Sequence, residues 1–209
     1  MQTTVTEEQG EAQTTSEMIY LNDDIAGFDF EASLPLLSAQ RREQALRFKH
    51  EMGRKTCAMA YLLLCEGLRQ EYGTSERPLF AYGEHGKPFI VGHPDIHFNL
   101  SHCRQGVVCA LSTQPVGVDI ESIREFNESL VRYTMNEAEQ ALISQAPRPD
   151  VAFIRLWTMK EAVVKCTGHG ISNDMKHVLD GISGIQTITN EERGYIYSVY
   201  MQPLSSQPV

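Results

Sequence analysis

The most informative stretch of this chain is Trp157-Thr-Met-Lys160-Glu161-Ala-Val-Val-Lys165. Residues four positions apart share one face of a helix, so the spacing predicts that Trp157, Glu161 and Lys165 project together. Lys160 precedes Glu161 by one position and is expected to point away from that face. A carboxylate and an ammonium group one turn apart make this helix a candidate site of chemistry.

A second pair of acids lies upstream, in the stretch Gly117-Val-Asp119-Ile-Glu121. Alternate residues of a strand project from the same side, so Asp119 and Glu121 are expected to face together. Carboxylates of this kind, placed near a lysine, are typical ligands of Mg²⁺, and Mn²⁺ accepts the same oxygen donors. The pattern predicts a divalent cation site that acts on a phosphate ester or anhydride.

Simpler interpretations exist for each of these groups taken alone. Asp119 and Glu121 would fit a solvent-facing strand edge. Glu161 and Lys165 would fit a surface ion pair that contributes on the order of 0.3 kcal/mol. Trp157 is interpreted as a core anchor without a chemical role. The spacing of these groups relative to two further motifs, at residues 86–88 and 98–102, favours the functional interpretation.

Composition restricts the class of protein. The chain has 209 residues, of which 42% are hydrophobic and 22% charged, as in ordinary globular proteins. Its net charge of −9 argues against a nucleic acid partner. Residues 1–17 carry four acids and no basic residue, and are predicted to be a disordered acidic tail. The sequence contains neither a signal peptide nor a long apolar run, which predicts no membrane contact and a cytoplasmic location.

The pattern of elements predicts an α+β fold. A helical region is expected from about residue 35 to 72 with a break near Gly53, and strands are expected to dominate residues 78–120. Thr134 and Glu137 have capping-box spacing for a further helix. After the helix that carries Trp157, ended by Gly168 and Gly170, strands are expected around Val178, 185–188 and 195–200.

This order of elements predicts two similar lobes with the active site in the cleft between them. The N-terminal lobe would cover residues 18–112 and the C-terminal lobe residues 113–202, with a frayed C-terminus at 203–209. The C-terminal lobe is expected to be shorter than is usual in the family named below, which puts its stability in doubt.

Four stretches point to one known family. They are the two quoted above together with Gly86-Lys87-Pro88 and Phe98-Asn99-Leu100-Ser101-His102. In this order and at these separations, over about residues 47–170, the chain resembles the Sfp-type 4′-phosphopantetheinyl transferases. The resemblance implies a pseudo-dimeric fold and a Mg²⁺-dependent enzyme. Its reaction would move 4′-phosphopantetheine from coenzyme A to a serine of an apo acyl or peptidyl carrier protein, releasing adenosine 3′,5′-bisphosphate.

The resemblance also implies roles for individual residues. Asp119, Glu121 and Glu161 would hold the metal, and Lys165 would stabilise the charge of the diphosphate. Glu161 matches the position of a general base for the incoming serine, although metal-assisted deprotonation accounts for the reaction equally well. The residues that the resemblance implies to be catalytic are then Glu161, Lys165 and His102.

Coenzyme A would be bound by a set of basic and small residues: Lys55, Lys87, Pro88, Ser101, His102 and Lys165. His102 would contact a phosphate, with a neutral core histidine as the competing interpretation. Lys55 belongs to a basic stretch that would otherwise be a solvated face, and the local pattern departs from the commoner His-Arg pair. His93 and His97 are discounted as metal ligands because Pro94 prevents a helical one-turn arrangement.

A carrier protein presents an acidic helix around its serine. The segment that follows the metal-binding strand offers basic and apolar residues for docking, namely Arg124, Phe126, Leu130 and Arg132. A half-buried amphipathic helix is the simpler explanation of the same segment.

Two other functions remain open at this stage. One is a non-catalytic module that binds coenzyme A or a carrier protein, and the other is a different metal-dependent phosphoryl enzyme such as a pyrophosphate hydrolase. The main interpretation is a monomeric transferase that serves fatty acid, polyketide or nonribosomal peptide biosynthesis.

Overall fold

The computed structural model describes residues 2–3, 17–83, 85–168 and 175–203, and has the predicted α+β character. Most of the predicted acidic tail, as well as residues 204–209, lies outside the described residues. Within the predicted tail, Gln2–Thr3 form a short strand that pairs with Tyr20 and Leu21.

Helices and strands follow one another in blocks along the chain, with five successive strands in its middle and three successive helices after them. The strands are β1 (Gln2–Thr3), β2 (Met18–Asn22), β3 (Phe80–Tyr82), β4 (Pro88–Ile90), β5 (His97–His102), β6 (Val107–Ser112), β7 (Val116–Ser122), β8 (Gln186–Asn190) and β9 (Tyr195–Met201). The helices are α1 (Phe30–Ser33), α2 (Ala39–Leu46), α3 (Glu51–Tyr72), α4 (Glu128–Thr134), α5 (Glu137–Gln145) and α6 (Pro149–Thr167).

The first half of the chain builds an antiparallel sheet in the order β1-β2-β6-β5, and α3 packs against it. The apolar middle of α3 supplies Tyr61 and Leu64, which are buried with Phe98 and Leu111 of the sheet. Burial of such side chains stabilises a fold by about 25 cal/mol per Å² of apolar surface. The core of this half therefore follows directly from the apolar run that the sequence shows.

The break predicted at Gly53 is wrong, because α3 runs through that residue. The chain breaks earlier, where α2 ends at Leu46 and α3 begins at Glu51. A Cβ atom on residue 53 would lie 2.6 Å from Cδ1 of Phe48. Glycine is used here to make room for the Phe48 ring and does not end the helix.

The second half of the chain builds a three-stranded antiparallel sheet in the order β7-β9-β8, and α6 packs on it. A Cβ atom on Gly117 of β7 would lie 2.0 Å from the carbonyl oxygen of Ala162 and 2.4 Å from the amide nitrogen of Cys166. Strand and helix thus approach backbone to backbone. This contact brings Asp119, two residues along β7, next to the helix face that carries Glu161 and Lys165.

Two local predictions in this half are wrong. Thr134 is the last residue of α4, and the capping box is formed by Asn136 and Glu139, two residues later. The region around Val178 is not a strand, since Met175–His177 form a 3₁₀ turn that leads into further turns. Gly168 ends α6 as predicted, with a left-handed φ of 74°, while Gly170 lies outside the described residues.

None of the helices in the described part of the chain combines the length and apolarity needed to cross a bilayer.

Candidate active site

A cleft of about 400 Å³ lies where β5, β7 and α6 meet. Its lining consists of Leu100, Ser101, His102, Asp119, Glu121, Trp157, Glu161 and Lys165. The first three come from the end of β5, the next two from β7 and the last three from one face of α6. The structure therefore brings together all three predicted metal ligands and all three residues predicted to be catalytic.

Side chains join β5 to β7 across the boundary between the two sheets. The side-chain oxygen of Asn99 accepts the backbone N–H of Val118 at 3.0 Å, and the hydroxyl of Ser101 accepts that of Ile120 at 3.3 Å. Because β5 and β7 belong to different sheets, these bonds take the place of a backbone ladder. They fix the position of Asp119 relative to the end of β5.

Lys165 reaches across the cleft to the strand acids. Its Nζ atom donates to Oδ1 of Asp119 at 2.6 Å and to Oγ of Ser101 at 3.0 Å. The Ser101 hydroxyl in turn donates to the same Oδ1 atom at 3.0 Å. Asp119 is only 4% exposed, so this ion pair lies on the floor of the cleft.

The remaining two acids lie in an unfavourable environment for negative charge. Burial raises the pKa of Glu161, and the charge of Asp119 raises it further. Burial and Asp119 also raise the pKa of Glu121, while a hydrogen bond from Trp157 acts in the opposite direction. Among the described residues that line this cleft, three are carboxylates and Lys165 is the one permanent cation.

Two carboxylate oxygens in the cleft are suited to a metal ion. Oδ2 of Asp119 and Oε1 of Glu161 are both buried without a hydrogen-bond partner. Buried acceptors of this kind are costly unless a donor or a cation reaches them. In the described part of the chain, however, no three acidic, histidine or cysteine side chains already stand in an arrangement that could hold a metal. The two unpartnered carboxylate oxygens are nevertheless of the donor type that a divalent cation prefers.

His102 lies at the exposed rim of the cleft, at the end of β5. Partial burial of the ring lowers the pKa of His102, and the cations Lys165 and Arg41 lower it further. A bound phosphate would shift the pKa in the other direction, because a nearby anion favours the protonated ring.

The other predicted coenzyme A residues lie outside this cleft. Lys87 and Pro88 line a neighbouring depression of about 500 Å³, whose wall includes Cys166. The ammonium group of Lys87 donates to the carbonyl oxygen of Cys166 at 2.6 Å. Lys55 contacts Glu51 at 3.2 Å and does not line either depression.

Arg41 belongs to the same basic stretch as Lys55, for which a solvated face was the simpler interpretation. It is instead 8% exposed and lies over the rings of Tyr61 and Phe80, at 5.6 and 5.1 Å from their centroids. Its Nε atom is buried without a hydrogen-bond partner. The stacking rings lie in distant parts of the chain, so no local pattern around Arg41 could have indicated this burial.

Trp157 was interpreted as a core anchor, and it does pack beside Phe153 with ring centroids 6.3 Å apart. Its indole also borders the cleft and hydrogen-bonds Glu121. Trp157 therefore serves both the core and the site, and the helical spacing with Glu161 was the signal that could have revealed it.

Comparison with known proteins identifies relatives. The family model of the 4′-phosphopantetheinyl transferase superfamily matches residues 115–207. A 4′-phosphopantetheinyl transferase of Bacillus subtilis is 30% identical over 158 residues, which are 74% of this chain and 70% of that protein. The enzyme psf-1 of Bacillus pumilus is 35% identical over 73% of this chain and 66% of its own length. The enzyme gsp of Aneurinibacillus migulanus is 43% identical over 46% of this chain and 41% of its own length.

Proposed function

Because the chain belongs to the 4′-phosphopantetheinyl transferase family, we propose that it moves the 4′-phosphopantetheine group from coenzyme A to a serine of an apo carrier protein. The observation that carries this proposal is the cleft in which Asp119, Glu161 and Lys165 meet. The buried oxygens of Asp119 and Glu161 that lack a hydrogen-bond partner suit a cation. The ammonium group of Lys165 suits a diphosphate.

In this proposal the chain has two lobes, residues 18–112 and residues 113–202, and the substrate binds between them. The support is the composition of the cleft, to which both parts contribute. A monomeric state and a cytoplasmic location remain predictions from the sequence.

The proposed reaction is a displacement at phosphorus. The serine oxygen of the carrier bonds to the phosphorus atom that bears pantetheine, and the bond from that atom to the bridging oxygen breaks. Adenosine 3′,5′-bisphosphate leaves with the bridging oxygen and its electron pair. The serine proton passes to Glu161, with metal-assisted deprotonation as the alternative.

Asp119, Glu121 and Glu161 would hold Mg²⁺, or Mn²⁺ in its place. When bound, the ion supplies positive charge to the diphosphate oxygens. Lys165 contributes a second positive charge from the floor of the cleft, where it stabilises the charge that develops on the bridging oxygen.

Coenzyme A is proposed to lie along both depressions. Helix α6 borders both of them, through Lys165 in one and Cys166 in the other. His102 would donate to a phosphate at the rim, and the adenosine end would lie towards Lys87 and Pro88. Lys55 is assigned to the 3′-phosphate by the resemblance alone.

The test of this function uses the full chain with coenzyme A, Mg²⁺ and an apo carrier domain. The carrier is expected to gain about 340 Da, the mass of a phosphopantetheine group, in an intact-mass measurement. No gain with acyl, polyketide and peptidyl carriers would contradict the proposal. Thermal stabilisation by coenzyme A without any mass gain would favour a binding module instead. Release of phosphate without a carrier would favour a pyrophosphate hydrolase.

Docking of the carrier is proposed on α4 and the loop before it, through Arg124, Phe126, Leu130 and Arg132. Leu130 is 39% exposed, and Arg132, two residues further along α4, is paired with Glu128 at 3.5 Å and with Ser129 at 3.3 Å. Phe126 is half-buried against Phe153, so its contribution to a docking surface is limited.

This docking surface has a direct test. Leu130→Asp is expected to raise KM for the carrier about tenfold while KM for coenzyme A stays unchanged, because loss of an interface anchor costs on the order of 1 to 2 kcal/mol. Leu79→Asp is a matched control, since Leu79 is an exposed leucine in the other half of the chain. Equal effects of the two substitutions would contradict docking on α4.

A further inference from the structure

Three hydroxyl groups form a hydrogen-bonded chain that crosses from the second sheet to α6. They belong to Thr187 of β8, Ser198 of β9 and Thr158 of α6, and the oxygens of each neighbouring pair lie 2.8 Å apart. Thr158 and Ser198 are completely buried. The cleft is lined by other residues, so a substrate bound in the cleft would not compete for these hydrogen bonds.

The hydrogen bonds of this hydroxyl chain run in one direction. The Thr158 hydroxyl donates its single hydrogen to the backbone carbonyl oxygen of Arg155 at 3.0 Å. It therefore accepts from Ser198, and Ser198, whose hydrogen is then used, accepts from Thr187. Each link of the hydroxyl chain is thus a directional bond between two different elements of the fold.

The hydroxyl chain attaches α6 to the sheet at the level of Asp119. In the register of the sheet, Ser198 is paired with Asp119 on one neighbouring strand and with Thr187 on the other. On α6, Thr158 precedes Glu161 by three residues, so these two side chains share a face of the helix. The bond between Ser198 and Thr158 therefore fixes the helix face that carries Glu161 relative to the strand row that carries Asp119.

Helix α6 also contacts β9 through apolar side chains. Phe153 and Ile154 share a buried cluster with Ile196, and Val163 shares another with Tyr200. Burial of apolar surface stabilises such a contact but is non-directional, so these clusters alone would tolerate a small rotation of the helix about its own axis. A hydrogen bond weakens steeply when its angle departs far from linear, so the hydroxyl chain opposes that rotation.

We propose that Thr158 is a positioning residue, which fixes the rotation of α6 through Ser198 and thereby sets the separation of the Glu161 and Asp119 carboxyl groups across the cleft. The consequence for a cation rests on the proposed function of that cleft, whereas the consequence for the orientation of α6 does not. Thr158 does not touch the substrate, and it acts only through the side chains that α6 carries into the cleft.

The experiment uses the full chain and removes the central bond from either side, with Thr158→Val and with Ser198→Ala. The fluorescence emission and acrylamide quenching of Trp157 report the orientation of α6 in the metal-free protein, because Trp157 is the single tryptophan of the chain and lines the cleft. Electron paramagnetic resonance in the presence of saturating coenzyme A reports Mn²⁺ binding.

Both single substitutions are expected to change the emission and quenching of Trp157 in the same sense. Both are also expected to weaken Mn²⁺ binding at least about tenfold, as loss of a ligand-orienting contact does elsewhere. Because the two residues act through one bond, the double variant is expected to bind Mn²⁺ no more weakly than the weaker single variant. Thr158→Ser retains the hydroxyl and is expected to restore both measurements.

Thr134→Val is the matched control. Thr134 is likewise a buried helical threonine, but its hydroxyl donates to the carbonyl oxygen of Leu130 within its own helix, at 2.7 Å. The substitution therefore removes the same kind of hydroxyl bond without releasing one element from another. It is expected to leave the emission of Trp157 and the affinity for Mn²⁺ unchanged.

Each contrary result has a distinct meaning. Trp157 emission and quenching that stay unchanged in Ser198→Ala overturn the inference, and so do losses of Mn²⁺ affinity that add up in the double variant. A wild-type chain that binds no Mn²⁺ would instead contradict the metal assignment of the proposed function. The Trp157 measurements would in that case still decide whether Thr158 positions α6.

Discussion

Helix α6 carries two lysines five positions apart, and each forms an ion pair with a carboxylate. Lys160 is completely buried and bonds Glu139 at 2.8 Å, whereas Lys165 keeps 29% of its side chain exposed and bonds Asp119 at 2.6 Å. The two pairs have nearly the same length. They differ in what surrounds them.

The Lys160 pair is closed. Its ammonium group also donates to the carbonyl oxygen of Met175 at 2.6 Å, and Glu139 also accepts the backbone N–H of Asn136 at 2.8 Å. These contacts join α6 to α5 and to the chain that returns after α6. The pair holds elements together and has no capacity to bind anything else.

The Lys165 pair is open. Next to it lie two carboxylate oxygens without partners, one on Asp119 and one on Glu161, and a cleft that solvent can enter. An ion pair therefore becomes a candidate site when polar atoms beside it lack hydrogen-bond partners. The distance between nitrogen and oxygen within the pair does not distinguish the two cases.

The largest effect on the free energy of unfolding is expected when the buried ammonium group of Lys160 is removed. Lys160→Met would leave the Glu139 charge buried without a partner, so we expect a loss of about 3 to 5 kcal/mol in the free energy of unfolding. Denaturant titration measures this loss. Lys165→Met is expected to cost only about 1 kcal/mol, because that side chain is partly exposed.

A second substitution tests the reason for this loss. The double variant Lys160→Met with Glu139→Gln should regain part of the stability, because no buried charge is then left alone. A single-variant loss below about 1 kcal/mol would contradict the structural role assigned to Lys160.

The open pair is tested through activity. Asp119→Asn keeps the size of the side chain and its contact with Ser101, but removes the charge that a cation needs. We expect transfer to the carrier to fall by about 10³-fold with little change in stability. Intact-mass kinetics measure the rate. Asp180→Asn, at an exposed acid paired with His177, serves as control, and activity within about tenfold of wild type in Asp119→Asn would refute the metal assignment.

A third lysine sharpens the comparison, because its partners are carbonyl groups and not an acid. Lys87 donates to the carbonyl oxygens of Cys166 and Val116, at 2.6 and 3.4 Å. These bonds hold the residue before β4 against the end of α6 and the start of β7. Hydrogen bonds to a charged group contribute about 1.5 to 3 kcal/mol, and we expect Lys87→Met to lose an amount in this range. Thermal unfolding checks it, with Lys87→Arg as the charge-retaining control, and an unchanged midpoint would show that the tie is dispensable.

The smallest expected effect is a gain. The raised pKa of Glu161 means that its ionised form destabilises the fold above that pKa, and that the penalty disappears as pH falls towards 4.5, the value of the unfolded chain. Glu161→Gln should therefore stabilise the metal-free protein at neutral pH by up to about 2 kcal/mol, with no difference in strongly acidic solution. Melting curves across pH measure this. Glu139→Gln removes the carboxylate partner of the buried Lys160 ammonium group, so this substitution should lower stability instead.

Local spacing predicted the parts of the site that lie on one element. The period of α6 predicted that Trp157, Glu161 and Lys165 share a face, and the alternation of β7 predicted the same for Asp119 and Glu121; all five line one cleft. The α+β class followed from the order of apolar patterns.

Contacts between distant elements were beyond the reach of the same arguments. Lys160 is buried because Glu139 lies 21 residues upstream on another helix, and no pattern around Lys160 records that partner. Asn99 and Ser101 join the sheets through single hydrogen bonds to backbone amides, which leave no period in the sequence. The strand expected near Val178 failed because a short apolar run fits a turn as well as a strand.

Gly117 sets the spacing between β7 and α6, because the strand backbone there touches the carbonyl oxygen of Ala162. Redesign that aims to widen the cleft cannot use substitution at position 117, since even the Cβ atom of alanine would push the helix outward and carry the Glu161 carboxyl group away from Asp119. Such redesign has to proceed from the β5 wall, where side chains can be shortened without moving either backbone.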